Sequence, residues 1–170
     1  SAASDVYKRQ EMDSNLFEDI ENLKPVIQPG TSDSAALDNV FELLNISGQP
    51  APLAKLMLVP DAWSKKSKVL SKDHQQLFNF LNSTMEPWDG PAAIAGTDNE
   101  WVIAANDRNG LRPLRYTITK DKFLFAGSET GMIKLNEKKI LAKGRLGPGE
   151  IIGVRIEKGK LFTNEKIKNY

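Results

Sequence analysis

The sequence predicts an α+β fold in which helices come first and antiparallel strands follow. Two observations lead to this prediction: apolar residues recur at helical spacing in the first half, and short alternating runs between turn residues fill the second half. Because helices and strands do not alternate as in β-α-β units, a parallel sheet is not expected. A length of 170 residues suits one domain or a piece of a larger one.

Three helices are predicted before the strands begin. The first covers residues 34–45, and the second covers residues 53–59 and ends at Pro60, which cannot continue a helix. The third follows the pattern Asp73-x-x-Gln76, which resembles a capping box. The apolar positions that define the first and third helices are Leu37, Val40, Phe41 and Leu44, and Leu77, Phe78, Leu81 and Met85.

Three hairpins are predicted in the second half of the chain. They pair residues 92–96 with 101–105, 114–119 with 122–126, and 151–156 with 160–163. Alternation within these runs places Trp101, Ile103, Leu124 and Ile152 among the buried positions. Because the predicted helices are too few to cover this many strands, we expect one sheet face to need a layer from outside this chain.

Charge and composition exclude several classes of function. The 23 basic and 22 acidic side chains give a net charge of +1, which argues against nucleic-acid binding through bulk charge. The chain contains no cysteine, so disulfides, thiolate metal sites, cysteine-held iron–sulfur clusters and cysteine nucleophiles are excluded within it. No apolar run approaches the ~20 residues that span a bilayer. No secretory signal is recognisable, which is compatible with a cytoplasmic location.

Asp33 is the most suggestive carboxylate, since it lies in the loop Gly30–Ser34 at a predicted helix start. One interpretation makes Asp33 the N-cap, a role worth about 1 kcal/mol. The other makes it a partner for a ligand ammonium group, with neighbouring N–H groups facing a ligand carboxylate, as an amino-acid zwitterion would need. The residues alone favour the N-cap.

The other candidates have ordinary structural interpretations. The Asp107–Pro113 and Lys143–Glu150 segments are typical of tight turns, and the second does not follow the phosphate-loop pattern. The pair Ser128-Glu129 marks the end of a strand as readily as an active site. The only histidine, His74, is expected on a solvated helix face.

Five segments of the chain, taken together and in order, resemble the glutamate synthase family. They are Pro25–Leu44, Met85–Ala93, Asp107–Tyr116, Gly127–Glu129 and Lys143–Glu150. The patterns Ser-Asp-Ser and Asp-Arg-x-Gly-x-Arg-Pro are shared with other class II glutamine amidotransferases, whereas Met-Glu-Pro-Trp-Asp-Gly-Pro and Lys-Gly-Arg-Leu-Gly-Pro-Gly are more specific. The resemblance covers about residues 16–170. Residues 1–15 do not match and are expected to be a disordered leader.

The resemblance implies a partial four-layer αββα N-terminal-nucleophile hydrolase sandwich, of which residues 16–170 would be the second half. It implies hydrolysis of L-glutamine to glutamate and ammonia, which then aminates 2-oxoglutarate at a flavin site. Asp33 would contact the glutamine α-amino group, and Ser32 is a second candidate for a substrate contact. FMN and an iron–sulfur cluster would belong to other domains of the parent chain. Those domains and a small reductase subunit would be its partners.

The N-terminal cysteine that the family uses as nucleophile has no counterpart here. We therefore expect no catalytic residue within this chain and no glutaminase activity from the chain alone. Two alternatives remain open. One is another class II amidotransferase, of the amidophosphoribosyltransferase type, and the other is a degenerate, non-catalytic amidotransferase domain.

Overall fold

The computed structural model describes residues 20–61 and 71–170. The chain divides into two compact units, residues 1–50 and 51–170. The predicted leader over residues 1–15 lies outside the described residues, and its boundary with residues 16–170 stays a prediction. In the described residues no helix combines the length and apolar character needed to cross a membrane.

The first unit contains a 3-10 helix, Ile20–Leu23, and helix α1, Asp33–Ile46. The observed α1 agrees with the predicted span. Its apolar residues Ala36, Val40 and Leu44 recur every fourth position and are buried, as expected for one face of an amphipathic helix. A bond from the Gln28 backbone N–H to the Asn39 side-chain oxygen, 3.3 Å long, ties the preceding loop to this helix.

The described residues of the second unit contain three α-helices and a 3-10 helix, Glu137–Lys139. Helix α2, Ala51–Leu58, begins earlier than predicted and carries Pro52 in its first turn, where a missing N–H costs little. Helix α3, Lys72–Thr84, was predicted to start with a capping box at Asp73, and this detail is wrong. The N-cap is Ser71, whose Oγ accepts from the backbone N–H of His74. A short C-terminal helix, α4, Asn164–Lys168, was not predicted.

Over residues 20–61 and 71–170, seven strands form two antiparallel sheets. The strands are β1 Ala93–Thr97, β2 Trp101–Asn106, β3 Arg115–Thr119, β4 Leu124–Gly127, β5 Ile140–Arg145, β6 Ile151–Arg155 and β7 Lys160–Phe162. One sheet has the order β1-β2-β6-β7 and the other β4-β3-β5. The three predicted hairpins are therefore confirmed, and they correspond to β1–β2, β3–β4 and β6–β7.

The two sheets face each other across a common apolar core. The core consists of Ala104, Leu114, Leu146 and Ile152, with Tyr116, Leu124 and Leu161 packed against it. On the opposite face of the four-stranded sheet, Ile103 and Gly153 are cross-strand partners, and Ile167 of α4 lies beside them. The helix α4, the four-stranded sheet and the three-stranded sheet are therefore stacked in that order. This is an α+β arrangement, as the sequence predicts.

The predicted buried positions are confirmed for Trp101, Ile103 and Ile152, whereas Leu124 is only half-buried. The rings of Trp101 and Phe162 pack edge to face with their centroids 4.9 Å apart, on the side of the four-stranded sheet that α4 covers. Several large apolar side chains around the three-stranded sheet are exposed. They are Phe123, Met132, Ile133 and Leu141. The expectation that a further layer covers this sheet stays a prediction.

Candidate functional site

Asp33 is the first residue of α1, and its local geometry removes the N-cap interpretation. The cap is Ser32, whose side-chain oxygen accepts from the backbone N–H of Ala35 at 3.3 Å. The Ser32 and Ser34 hydroxyl oxygens are 3.0 Å apart. Within the described parts of the chain, the exposed Asp33 carboxylate forms no hydrogen bond or ion pair. The carboxylate is therefore available to a ligand.

The Asp107 carboxylate, in contrast, is fully engaged in holding its own loop. It is 1% exposed and accepts four backbone N–H bonds of 3.0–3.2 Å. The donors are Ala92, Asn109, Leu111 and Arg112. Burial by itself would raise the pKa of Asp107, but the four backbone donors outweigh it and hold the pKa below its ordinary value. Asp107 is thus a structural anion.

The two segments Asp107–Pro113 and Lys143–Glu150 form one interlocked structure. The Gly149 backbone N–H donates to the Asp107 carbonyl at 2.7 Å, and the Asn106 side-chain amide donates to the Leu146 carbonyl at 3.2 Å. Gly110 has a φ of +65°, and a Cβ on it would lie 3.0 Å from the Pro148 Cγ. Both the left-handed backbone and this close approach favour glycine there. These contacts support the structural interpretation of the two segments.

Lys55 is a buried charge that the sequence analysis missed. It lies in α2, is 1% exposed, and donates through Nζ to the Gly149 carbonyl at 2.7 Å. Burial, reinforced by the nearby Lys168, lowers the pKa of Lys55 to about 8, although the charges of Asp61 and Asp107 oppose that shift. Its neighbours Ala54, Leu56, Met57 and Leu58 are all buried. The sequence did contain a signal for this burial, because Lys55 is the only charged residue in a run of apolar residues.

Asp61 and Lys168 complete this charged cluster. Their side chains form an ion pair in which Lys168 is 3% exposed and Asp61 is 14% exposed. The second carboxylate oxygen of Asp61 is buried and has no hydrogen-bond partner among the residues that the structure describes. A Cβ on Gly149 would approach that oxygen to 2.6 Å. The cluster therefore connects three parts of the chain: Asp61, which follows α2, Lys168 of the C-terminal helix α4, and Gly149 of the glycine-rich turn.

The remaining sequence candidates lie in ordinary surroundings. His74 is in the first turn of α3, and its Nε2 lies 3.0 Å from the Asn169 side-chain oxygen. Met57 is buried, whereas Met132 is 58% exposed. Over residues 20–61 and 71–170, no group of three or more His, Cys, Asp or Glu side chains could hold a metal ion.

Glu129 lies beside a cavity of about 260 Å³ next to the three-stranded sheet. Arg115, at the start of β3, lines the same cavity. Ser128 does not line it. Of the candidate pair Ser128-Glu129, only Glu129 therefore lines this cavity.

Comparison with known proteins gives one consistent result. Residues 5–170 match the family described as glutamine amidotransferases class-II. The chain is 51% identical over 151 residues to a glutamate synthase [NADPH] large chain of Azospirillum brasilense, covering 89% of this chain and 10% of that protein. It is 41% identical over 160 residues to a glutamate synthase [NADH] of Saccharomyces cerevisiae, covering 93% of this chain and 7% of that protein.

A third relative, the ferredoxin-dependent glutamate synthase 2 of Synechocystis, is 41% identical over 153 residues. That alignment covers 88% of this chain and 10% of the relative. The chain thus spans about a tenth of the length of the relatives that it matches.

Proposed function

The chain belongs to the class II glutamine amidotransferases, and from this premise we propose that it forms the glutamine-recognising part of the glutaminase domain of a glutamate synthase. In the intact protein that domain would hydrolyse L-glutamine to glutamate and ammonia. The ammonia would then aminate 2-oxoglutarate in another domain. The family match over residues 5–170 and the identities of 41–51% to three glutamate synthases support this proposal.

We assign the recognition of the glutamine α-ammonium group to Asp33. One observation at the start of α1 carries this assignment. The Ser32 side chain caps the helix by accepting from a backbone N–H, so the adjacent, exposed Asp33 carboxylate is not needed for capping. A carboxylate that the described residues leave unpaired can form a charge-assisted hydrogen bond with an ammonium group, worth roughly 1.5–3 kcal/mol. The Ser32 hydroxyl, 3.0 Å from that of Ser34, is the second candidate for a substrate contact.

The competing explanation of Asp33 is purely helical. A negative side chain in the first turn interacts favourably with the helix dipole, which contributes about 0.3–1 kcal/mol to stability. That interaction would affect folding and would not distinguish one nitrogen source from another. The two explanations therefore make different predictions for a variant that removes the charge.

The test is Asp33→Asn in the full-length enzyme that contains this segment, with Asp38→Asn as the matched control. Asp38 is an exposed aspartate of the same helix. We expect kcat/KM for glutamine to fall roughly ten- to a hundredfold in the Asp33 variant, from the energy range above. Turnover with free ammonia should be nearly unchanged, and the Asp38 variant should behave as wild type with both substrates.

Two results would overturn the assignment of Asp33. An equal loss with glutamine and ammonia would show a general structural defect, and no loss with either would show that the carboxylate does not bind substrate. A loss of the same size in the Asp38 variant would point to helix electrostatics.

The proposal places the nucleophile outside these 170 residues, since the chain contains no cysteine. Purified chain should therefore release no ammonia from glutamine above the uncatalysed background. Release of ammonia by homogeneous protein would contradict this part of the proposal. FMN and the iron–sulfur cluster implied for glutamate synthases also belong elsewhere in the parent, because a cysteine-held cluster cannot form here.

A non-catalytic domain is the second candidate, and the missing cysteine is the observation that favours it. The complete coding sequence of the parent protein distinguishes these two functions. A cysteine codon that becomes the N-terminal residue of the mature parent protein supports catalysis, and its absence supports a domain kept for binding or assembly. The amidophosphoribosyltransferase type is disfavoured, because the relatives described above are glutamate synthases.

A further inference from the structure

Asn109 and Gly110 form the only Asn-Gly sequence in the chain. An asparagine before glycine is chemically labile in a flexible peptide, because glycine has no side chain to shield its backbone nitrogen. After losing its proton, the Gly110 nitrogen attacks Cγ of Asn109, a new C–N bond closes a succinimide ring, and the side-chain amide leaves as ammonia. Water then opens the ring to aspartate or isoaspartate, so the net reaction consumes water and releases ammonia.

The Asn109 side chain itself is open to this reaction. It is exposed in the loop between β2 and β3. Its Nδ2 lies 3.5 Å from the Asp89 Oδ1, which is at the outer limit of a hydrogen bond, so the side chain is only weakly held. Water therefore reaches the electrophilic Cγ, and control over the reaction has to act on the nucleophile.

The backbone around the nucleophile is held by Asp107. The Gly110 N–H donates to the Asp107 carbonyl at 3.1 Å. The N–H groups of Asn109 and Leu111, on either side of Gly110, both donate to the Asp107 Oδ1 at 3.0 Å. The Gly110 nitrogen therefore cannot turn toward Cγ of Asn109 unless this set of hydrogen bonds breaks, and its proton is shared with a carbonyl oxygen.

Packing and charge oppose the reaction further. Pro148 lies against Gly110 and limits its displacement. The attack passes through a negatively charged nitrogen, and the Asp107 carboxylate repels a negative charge that develops beside it. That carboxylate is 1% exposed, so water and salt screen its charge poorly.

We propose that Asn109 is a latent deamidation site, which the Asp107 anchor keeps unreactive for as long as the loop stays closed. Local opening of the loop frees the Gly110 nitrogen, and only the open loop reacts. An isoaspartate at position 109 lengthens the main chain by a carbon atom between the two N–H groups that share the Asp107 Oδ1. An aspartate there places a second carboxylate beside Asp89. Deamidation therefore marks the molecules whose loop has opened and hinders reclosure, independently of the proposed glutaminase function.

The test follows the products at position 109 by peptide mapping and mass spectrometry while the 170-residue chain is incubated at neutral pH. The folded wild-type chain should deamidate at Asn109 roughly tenfold or more slowly than the same chain unfolded in urea. Asp107→Ala, which removes the side-chain acceptors, should abolish most of this difference while circular dichroism still reports a folded chain. Equal rates in the folded and unfolded wild-type chain would overturn the proposal.

Phe162→Leu is the matched control, because Phe162 lies in β7, at the edge of the four-stranded sheet opposite β1, and its loss weakens the fold without touching the loop. Both variants are compared at urea concentrations that give them the same free energy of unfolding. Asp107→Ala should then deamidate roughly tenfold or more faster than Phe162→Leu. Equal rates would show that global stability protects Asn109 and would overturn the role of the anchor.

A measurement on the wild-type chain covers the case in which Asp107→Ala does not fold. Hydrogen exchange at the Gly110 amide reports the same opening, because that N–H is released only when its bond to the Asp107 carbonyl breaks. The slowing of exchange at Gly110 and the slowing of deamidation at Asn109, each relative to the unfolded chain, should agree within roughly threefold. A Gly110 amide that exchanges freely while Asn109 stays intact would contradict the proposal.

Discussion

The ring of Tyr116 lies over Gly144, its cross-strand partner, so closely that a Cβ on Gly144 would come within 2.3 Å of the Tyr116 Cζ. Tyr116 also packs against the core between the two sheets. The glycine of the Lys143-Gly144-Arg145 sequence is therefore required by packing, because the tyrosine ring occupies the space of its side chain. A glycine within a strand often marks such a close approach.

Gly144→Ala should destabilise the chain by about 1–3 kcal/mol, because the added methyl group collides with a ring that the core already holds. Urea denaturation measures the loss. Tyr116→Ala provides the control, since the same substitution at Gly144 should cost little once the ring is removed. An equal cost of Gly144→Ala in both backgrounds would show that the ring is not the cause.

Asp107→Asn should destabilise the folded chain by about 2–4 kcal/mol near neutral pH. An asparagine presents one acceptor oxygen and one NH₂ group to four backbone N–H donors, so some of those buried donors lose their acceptor. Chemical denaturation measures the change. Glu157→Gln, a neutralising change at an exposed turn position, is the control and should alter the free energy of unfolding by less than about 0.5 kcal/mol.

The pKa of Asp107 also predicts a specific response to acid. Because its folded-state pKa lies below the ordinary value of 3.8, the unfolded chain binds a proton at this group first as the pH falls. The stabilising contribution is complete above pH 3.8 and is lost as the pH falls through the folded-state pKa. Asp107→Asn should remove that part of the acid dependence, and an unchanged acid limb would contradict the assignment.

Lys55 predicts a second rise in stability with pH, this time at alkaline pH. The pKa of Lys55 is about 8 in the folded chain, whereas its ordinary value, which applies to the unfolded chain, is 10.5. Between these two pH values the unfolded chain therefore binds more protons than the folded chain. Stability should therefore rise with pH across that window, by roughly 3 kcal/mol from this group. In Lys55→Met the rise should disappear. Lys158→Met, at an exposed turn, should keep it, and a rise that survives in the Lys55 variant would contradict the prediction.

The helix and hairpin pattern could be predicted from the sequence because local spacing determines it. The apolar positions Val40 and Leu44 recur at helical intervals, and α1 differs from its predicted bounds by one residue at each end. The three hairpins followed from alternation and turn residues. In contrast, β5 was missed, because Gly144 was taken as part of a turn. Only the cross-strand position of the Tyr116 ring explains a glycine inside that strand.

The chemistry of the candidate residues was harder to predict, since it depends on contacts distant in sequence. Asp33 and Asp107 both lie in loops rich in turn residues, yet one carboxylate is exposed and the other accepts four backbone N–H bonds. The bond from Lys55 to the Gly149 carbonyl joins residues 94 positions apart. No local pattern encodes such a contact, although the apolar run around Lys55 indicated its burial.

The start of α3 gives a last prediction, because the sequence and the structure assign its cap to different residues. The Ser71 side-chain oxygen accepts from the backbone N–H of His74 at 3.2 Å, whereas Asp73 lies inside the first turn. Ser71→Ala should therefore cost about 1 kcal/mol and accelerate hydrogen exchange at the His74 amide. Asp73→Asn should remove only a dipole interaction of about 0.3–1 kcal/mol and leave that amide protected. Exchange measured by NMR on both variants distinguishes the two caps: acceleration at the Gln76 amide in the Asp73 variant, with the His74 amide unchanged in the Ser71 variant, would restore the capping box that the sequence suggests.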